Sequence, residues 1–245
     1  MQLVSIESSL SPVTRSVVVE PVCFSSAGRV CAVDVCSEGI RTSTQSAEAL
    51  AEALAEVLPI LLCGEESATI SFSELRDTAY IPAALRAALA SIAIDERRHE
   101  SLLWGIRRAL PLPQRTPESL LRVRRFFMSI GSREIGRYLA QIAGLDSAVC
   151  TLLGHFRARR GPLASDQALQ ERFSRIHADE ARHVATTRYW AMQYCTREQA
   201  DAASQQIRRA LVRLLTPYAD SFEVLGVDCE RILPRLRQLP SGLFA

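Results

Sequence analysis

Two segments of the chain, Ile92-Ala-Ile-Asp95-Glu96-Arg-Arg98-His99 and Ile176-His-Ala-Asp179-Glu180-Ala-Arg182-His183, nearly repeat one another, and their reading decides the fold. Each contains Glu-x-x-His. On an α-helix, residues three apart lie 300° around the axis and about 4.5 Å along it, so carboxylate and imidazole share a face and can grip one cation from a single helix. Asp95 and Asp179 fall on the adjoining face, where each can orient a ligating histidine by accepting its second ring N–H. One Glu-x-x-His is ordinary helix-surface chemistry. Two copies, each preceded by Asp and together using half of the chain's 4 histidines, point to a metal site.

A dinuclear site inside a bundle also needs one carboxylate from each of two further helices. The repeat supplies them: Cys63-Gly64-Glu65-Glu66-Ser67-Ala68 aligns with Ala143-Gly144-Leu145-Asp146-Ser147-Ala148, which sets Glu66 opposite Asp146 at similar distances before the two Glu-x-x-His segments. The expected ligand set is therefore Glu66, Glu96, His99, Asp146, Glu180 and His183, held by two helix pairs related by a pseudo-twofold axis. A register shifted by one residue would exchange Glu66 for Glu65. Glu134 competes with Asp146, but Arg133 and Arg137 beside it read as surface pairing. His177, one turn before Glu180, has two readings, a third imidazole ligand or a polar-face residue, while His155 falls on the opposite side of its helix from Asp146. Tyr138 and Trp190 read as core residues or pocket walls, and Cys63 and Cys150 as small core fillers.

Burial makes these polar residues informative. Glu66 follows Leu58, Ile60, Leu61 and Leu62, and the Glu96 helix carries Leu85, Leu89, Ile92 and Leu103. Four carboxylates turned into such an interior would cost many kcal/mol unless cations neutralised them. Oxygen-rich ligation with one nitrogen per metal suits iron or manganese, since zinc and copper usually recruit thiolates or more imidazoles.

Outward from these segments the chain reads as helix from about Thr44. Ser46 to Leu58 has an apolar face; Pro59 can bend this helix without ending it, and Leu61 to Ala68 can continue it. Ser71-Phe-Ser-Glu74 reads as a capping box opening a short helix, and Pro82 starts a long one reaching about Leu110. Thr116-Pro117-Glu118 starts another, running to Arg160 with Gly144 as the expected break. Ser165 caps a helix to about Tyr194, Thr196-Arg-Glu-Gln199 boxes the next as far as Pro217, and two short helices finish the chain, the second over Glu230 to Leu239. Residues 1–41 differ: two runs rich in β-branched residues flank Ser25-Ser26-Ala27-Gly28, which predicts a hairpin or extended arm. The expectation is an all-α protein with an arm (1–41), a four-helix dimetal bundle (42–195) and C-terminal helices packed on it (196–245).

Composition narrows the function classes. With 29 basic and 27 acidic residues the net charge is +2, which gives no broad field. The arginine spots at Arg157, Arg159, Arg160, Arg208 and Arg209 read as solvated helix faces and not as a nucleic-acid footprint. No stretch reaches the roughly 18 unbroken apolar residues of a membrane span, and no secretory leader is legible. Seven cysteines without a Cys-x-x-Cys pair fit reduced thiols in a cytoplasmic protein.

With these residues in view, the sequence resembles the ferritin-like dimetal carboxylate superfamily over roughly residues 46–194. Its spacing is similar to that of the aminobenzoate and arylamine N-oxygenases, which carry a Glu-x(28–37)-Asp-Glu-x-x-His pattern twice. Glu66, Asp95, Glu96 and His99 fit the first copy. Asp179, Glu180 and His183 fit the second, with Asp146 where glutamate is usual. His177 stands three residues before Glu180, where those enzymes place a further histidine four before. The resemblance implies two iron ions, with manganese able to replace one or both, and a dioxygen-dependent oxidation of a small amine in a natural-product pathway. It also implies an external electron donor or reductase. Oxidation at carbon is the second enzyme reading, and iron storage or oxidant scavenging the reading of another class. The alanines at Ala83, Ala84, Ala87, Ala88, Ala90 and Ala93 would leave a cavity by the metals or allow close helix packing. Apolar helix surfaces predict a homodimer, with neither nucleic acid nor membrane as partner.

Overall fold

The structure is a computed structural model that describes residues 46–77, 80–131, 134–238, 240 and 242–244. The expected arm lies outside the described residues. Those residues form eight α-helices and one 3-10 turn, with no strand among them.

Helix α1 (Ala47–Arg76) begins at Ser46, whose side chain accepts the Ala49 N–H, and continues without interruption through Pro59. It also continues through Ser71–Glu74, so the expected capping box does not form. Ser73 Oγ instead donates to the Thr69 carbonyl at 2.7 Å, which satisfies the hydroxyl within the helix. Pro82 precedes α2 (Ala83–Arg107), and the short connection turns α2 back along α1. Helix α3 (Pro117–Met128) stops well before the position expected, and α4 (Ile135–Phe156) starts a separate element.

Gly144 therefore lies inside α4 and breaks nothing. A Cβ there would stand 2.6 Å from Ser204 Oγ, so this glycine lets α4 and α6 approach closely. Asp166, not Ser165, caps α5 (Gln167–Tyr194), by accepting the Leu169 N–H. Thr196 and Gln199 form the expected reciprocal box at the start of α6 (Arg197–Leu215). A 3-10 turn at Thr216–Tyr218, α7 (Ala219–Val224) and α8 (Cys229–Arg237) complete the chain.

The helices form a bundle in which α1 packs along α2, α4 along α5, and α2 meets α5. Helix α6 lies along α4, while α3 and α7 cover α1. One apolar cluster joins Leu54 and Leu58 of α1 to Leu153 of α4, Phe173 of α5, Leu211 of α6 and Phe222 of α7, so the C-terminal helices share the core of the bundle. Arg208 belongs to this packing, which corrects its reading as a solvated residue. It is 2% exposed and donates to the Gly144 carbonyl and to Ser147 Oγ, and burial draws its guanidinium down to about 10. Helix α4 is long and apolar enough to cross a membrane by length and composition, and most of that stretch is buried inside the fold. Cys63, Cys150, Cys195 and Cys229 form no disulfide among the described residues.

Candidate metal centre

Helices α1, α2, α4 and α5 each turn a carboxylate inward, and α2 and α5 add one imidazole apiece. Glu65, Glu96, His99, Asp146, Glu180 and His183 are all buried. Their ligand atoms fall into two groups, Glu65, Glu96, His99 and Glu180 in one and Asp146, Glu180 and His183 in the other, with every atom of a group within 4.8 Å of the rest.

The spacing suits ligands around a cation better than a set of separate hydrogen bonds, although His99 Nδ1 and Glu65 Oε2 lie within hydrogen-bond reach. His99 Nδ1 stands 3.3 Å from Glu65 Oε2, 3.5 Å from Glu96 Oε2 and 3.3 Å from Glu180 Oε1. One ring nitrogen carries at most one proton and cannot donate to three oxygens at once. Around a cation held at about 2.1 Å, neighbouring ligand atoms stand about 3.0–3.4 Å apart in octahedral or tetrahedral arrangements. His183 Nδ1 lies 3.1 Å from Glu96 Oε1 and 3.8 Å from Glu180 Oε2, yet it makes no hydrogen bond. Asp146 Oδ2 is likewise buried without a partner. Glu96 and Glu180 each turn one oxygen toward His99 and the other toward His183, and the two rings are 5.8 Å apart.

A second layer holds the rings in place. His99 Nε2 is 3.0 Å from Asp179 Oδ2, and His183 Nε2 is 3.5 Å from Asp95 Oδ2, so each aspartate holds the histidine of the other helix. Arg98 pairs with Asp95 at 2.8 Å, and Arg182 bridges Asp95, at 3.1 Å, and Asp179. These arginines balance the two outer aspartates. Among the described residues no arginine pairs with the four inner carboxylates. Burial, followed by the neighbouring Glu96, pushes Glu65 well above the usual carboxylate range, and burial with Glu180 and Glu96 does the same to Asp146. Burial opposes ionisation of Glu96 too, but hydrogen bonding from Glu65 and both histidines holds it below its ordinary value. Both imidazoles are raised: burial acts against their charge, and the surrounding carboxylates outweigh it. The buried, oxygen-rich donor set could hold a metal ion.

Two expected ligands are corrected. Glu66 points outward: its side chain is 54% exposed and lies 4.0 Å from Arg124, whereas Glu65 is 6% exposed and faces His99. The repeat aligns Glu66 with Asp146, but adjacent residues on a helix diverge by about 100°, and α1 is rotated so that Glu65 faces the centre. His177 is half-buried and belongs to neither ligand group, because its position one turn before Glu180 carries it out of the cluster along α5. Burial and Arg157 lower its basicity. Glu134 caps α4 at the surface, paired with Arg137 at 3.0 Å, while Asp146 takes the inner position.

Tyr138 is the residue whose part the sequence left open. It is 6% exposed, and its hydroxyl has no hydrogen-bond partner although Ser71 stands beside it. Burial, with Asp146, Glu74 and Glu96 nearby, pushes it up to about 12. It borders a cavity that separates α1 from α4, walled by Val57, Ile60, Leu61, Gly64, Ser67 and Ala68 of α1 and by Ile142, Leu145, Val149, Leu152 and Phe156 of α4. Glu65, Glu96, Asp146 and Glu180 open onto this space, and the alanines of α2 do not border it. Comparison with family models, with characterised proteins and with solved structures finds no match to the chain.

Proposed function

We propose that the chain is a dioxygen-dependent oxygenase that holds two iron ions in a ferritin-like four-helix bundle formed by α1, α2, α4 and α5 and oxidises a small molecule. The observation that carries this reading is the pair of buried carboxylate–imidazole groups, joined by Glu96 and Glu180, with no arginine paired to them among the described residues. Manganese suits the same donors in place of one or both irons.

Glu65 and His99 would hold one ion, Asp146 and His183 the other, and Glu96 and Glu180 would lie between them. Asp179 and Asp95 fix the tautomer and tilt of the rings by accepting at Nε2, which leaves both Nδ1 atoms to the metals. Iron held by these residues in its reduced form would supply the electrons that dioxygen needs. The apolar walls keep bulk water from the reacting atoms and strengthen every charge interaction at the centre. The partners called for are dioxygen, an external reductant and, given the exposed Ile94, Trp104 and Tyr189, a second copy of the chain.

The resemblance to N-oxygenases gives an amine as one substrate class. The cavity supports the second reading, oxidation at carbon, because its walls away from the metal ligands are apolar apart from Ser67, Ser71 and Tyr138. A storage function would leave that cavity without a role. The test is anaerobic loading with ferrous iron, metal analysis, and a dioxygen pulse with uptake recorded. Two irons per chain and rapid dioxygen uptake, accelerated by substrate, are expected. Uptake of no more than one ion would sink the proposal, and mineral growth in a large particle would favour storage.

A further inference from the structure

The ligands of the centre are steadied in two ways. His99 and His183 each meet an aspartate at Nε2, and those aspartates are in turn paired with Arg98 and Arg182. Asp146 Oδ2 is buried with no hydrogen-bond partner, so the place of this carboxylate is set through the backbone of α4. That backbone is gripped by α6. Ser204 and Arg208 stand four residues apart on one face of α6, and their acceptors Ala140 and Gly144 stand four apart on α4. Ser204 Oγ donates to the Ala140 carbonyl. Arg208 donates to the Gly144 carbonyl at 3.0 Å and to Ser147 Oγ at 2.6 Å, and Ser147 Oγ donates onward to the Gly144 carbonyl at 3.0 Å. Gly144 lies two residues before Asp146 and Ser147 one after it, so the guanidinium holds both sides of the ligand's own turn.

A guanidinium is a costly way to pack α6 on α4. Arg208 is 2% exposed, its Nε has no hydrogen-bond partner, and no carboxylate pairs with it among the described residues. Burial alone draws its guanidinium down to about 10. An apolar side chain would fill the space at lower cost, but it could not bind the Gly144 carbonyl and Ser147 Oγ together. The other half has no such clamp. Gly64, in the place of Gly144, faces the Phe127 ring, and Ser67, in the place of Ser147, donates at 3.4 Å to the Phe127 carbonyl. Glu65 also has one more rotatable bond than Asp146 with which to follow a shifting helix, so the shorter ligand is the one that depends on its backbone.

We propose that Arg208 is a positioning residue for the metal centre: through Gly144 and Ser147 it fixes the turn of α4 that presents Asp146, and so strengthens the ion position of Asp146 and His183 while leaving that of Glu65 and His99 unaffected. This rests on the two-ion reading above and divides the two positions by what holds their carboxylates.

The test reads each ion position separately in the full chain. Glu65→Ala leaves the Asp146–His183 position, and Asp146→Ala leaves the Glu65–His99 position. Arg208→Met is placed in both backgrounds, and cobalt(II) affinity is measured by competition with a chelator. It should weaken binding by about tenfold or more in Glu65→Ala, the scale for outer partners of a metal site, and by less than about twofold in Asp146→Ala. Arg208→Lys keeps the charge and a donor and should recover part of the loss. In the chain with all six ligands, Arg208→Met should leave one cobalt ion at its original affinity and weaken the other. Where Arg208→Met does not fold, Ser147→Ala removes one of the two α4 anchors, leaves the packing of α6 in place, and should give the same contrast at about three- to fivefold. Equal losses in both backgrounds, as a general loosening of the bundle would give, a loss confined to the Glu65–His99 position, or no loss at either would each overturn the inference. The contrast in a chain that consumes no dioxygen when loaded with iron would keep this inference and discard the oxygenase. Rapid dioxygen uptake by the iron-loaded chain without the contrast would do the reverse, and a chain that binds no metal with all six ligands present would discard both.

Discussion

The α1–α2 pair and the α4–α5 pair bring the same ligand types to the centre and treat everything around it differently. On α2, Arg98 pairs with Asp95 alone; on α5, the matching Arg182 reaches both Asp179 and Asp95. His99 has a close acceptor in Asp179, at 3.0 Å, while Asp95 stands 3.5 Å from His183. The glycines diverge as well. Gly144 lets α4 press against Ser204 of α6, whereas Gly64 faces the ring of Phe127, which itself borders the cavity between α1 and α4. One half is packed tight, and the other leaves room. The inner ligand types recur in both halves, while the residues around them do not.

The sharpest way to break this comparison is at the shared ligands. Glu96→Ala removes the residue that reaches both histidines, and metal analysis should show both ions lost. Glu65→Ala should lose the ion beside His99 and retain a weakened second one, while Glu66→Ala should hold a full complement. Full metal content in Glu65→Ala with loss in Glu66→Ala would reverse the assignment of α1.

The outer aspartates come next. Asp179→Asn and Asp95→Asn should each weaken metal binding by about 10- to 100-fold, with the larger loss for Asp179, whose contact is shorter. Competition with a chelator measures both, and equal losses would mean that the shorter contact has no consequence for affinity.

The metal-free protein should respond to pH in a defined sense. His99, His183, Glu65 and Asp146 all hold protons more tightly folded than unfolded. Their contribution is present at low pH and lost as pH rises above the unfolded values, about 4 for the acids and about 6.5 for the imidazoles. Glu96, depressed in the fold, contributes above its unfolded value and loses that contribution only on acidification. Denaturant melts should therefore give lower stability at pH 9 than at pH 6. Metal displaces these protons, so loading should release them and reverse the slope.

The smallest effects separate the two glycines. Gly144→Ala forces a Cβ against the Ser204 backbone and should cost about 1–3 kcal/mol in a thermal melt. Gly64→Ala meets Phe127 ring atoms at 3.3 Å, a ring with the cavity beside it, and the gain in helix propensity should bring the change near zero. A similar cost at both would mean that the Phe127 ring does not give way into the cavity.

Much of the centre was legible because ligand pairs at i, i+3 on one helix depend only on local geometry. The Asp-Glu-x-x-His repeat identified Glu96, His99, Glu180 and His183 and placed Asp95 and Asp179 beside them. Asp146 followed from the repeat because α4 keeps its expected face. Glu66 failed because the facing of α1 is set by where Val57, Leu58 and Phe72 bury, and adjacent glutamates look alike to any pattern. The break between α3 and α4 was misplaced at Gly144 because a glycine that ends a helix and one that admits a neighbour are the same residue in a sequence.

By itself the sequence determined that this chain is helical and that acids and imidazoles recur at a spacing suited to cations, since both depend on periodicity along one helix. Only the tertiary structure decided which of two adjacent glutamates faces inward, that each aspartate serves the histidine of the other helix, and that α1 and α4 stand apart around a cavity. Those are relations between helices, set by how their apolar faces bury against one another, and no single helix encodes them.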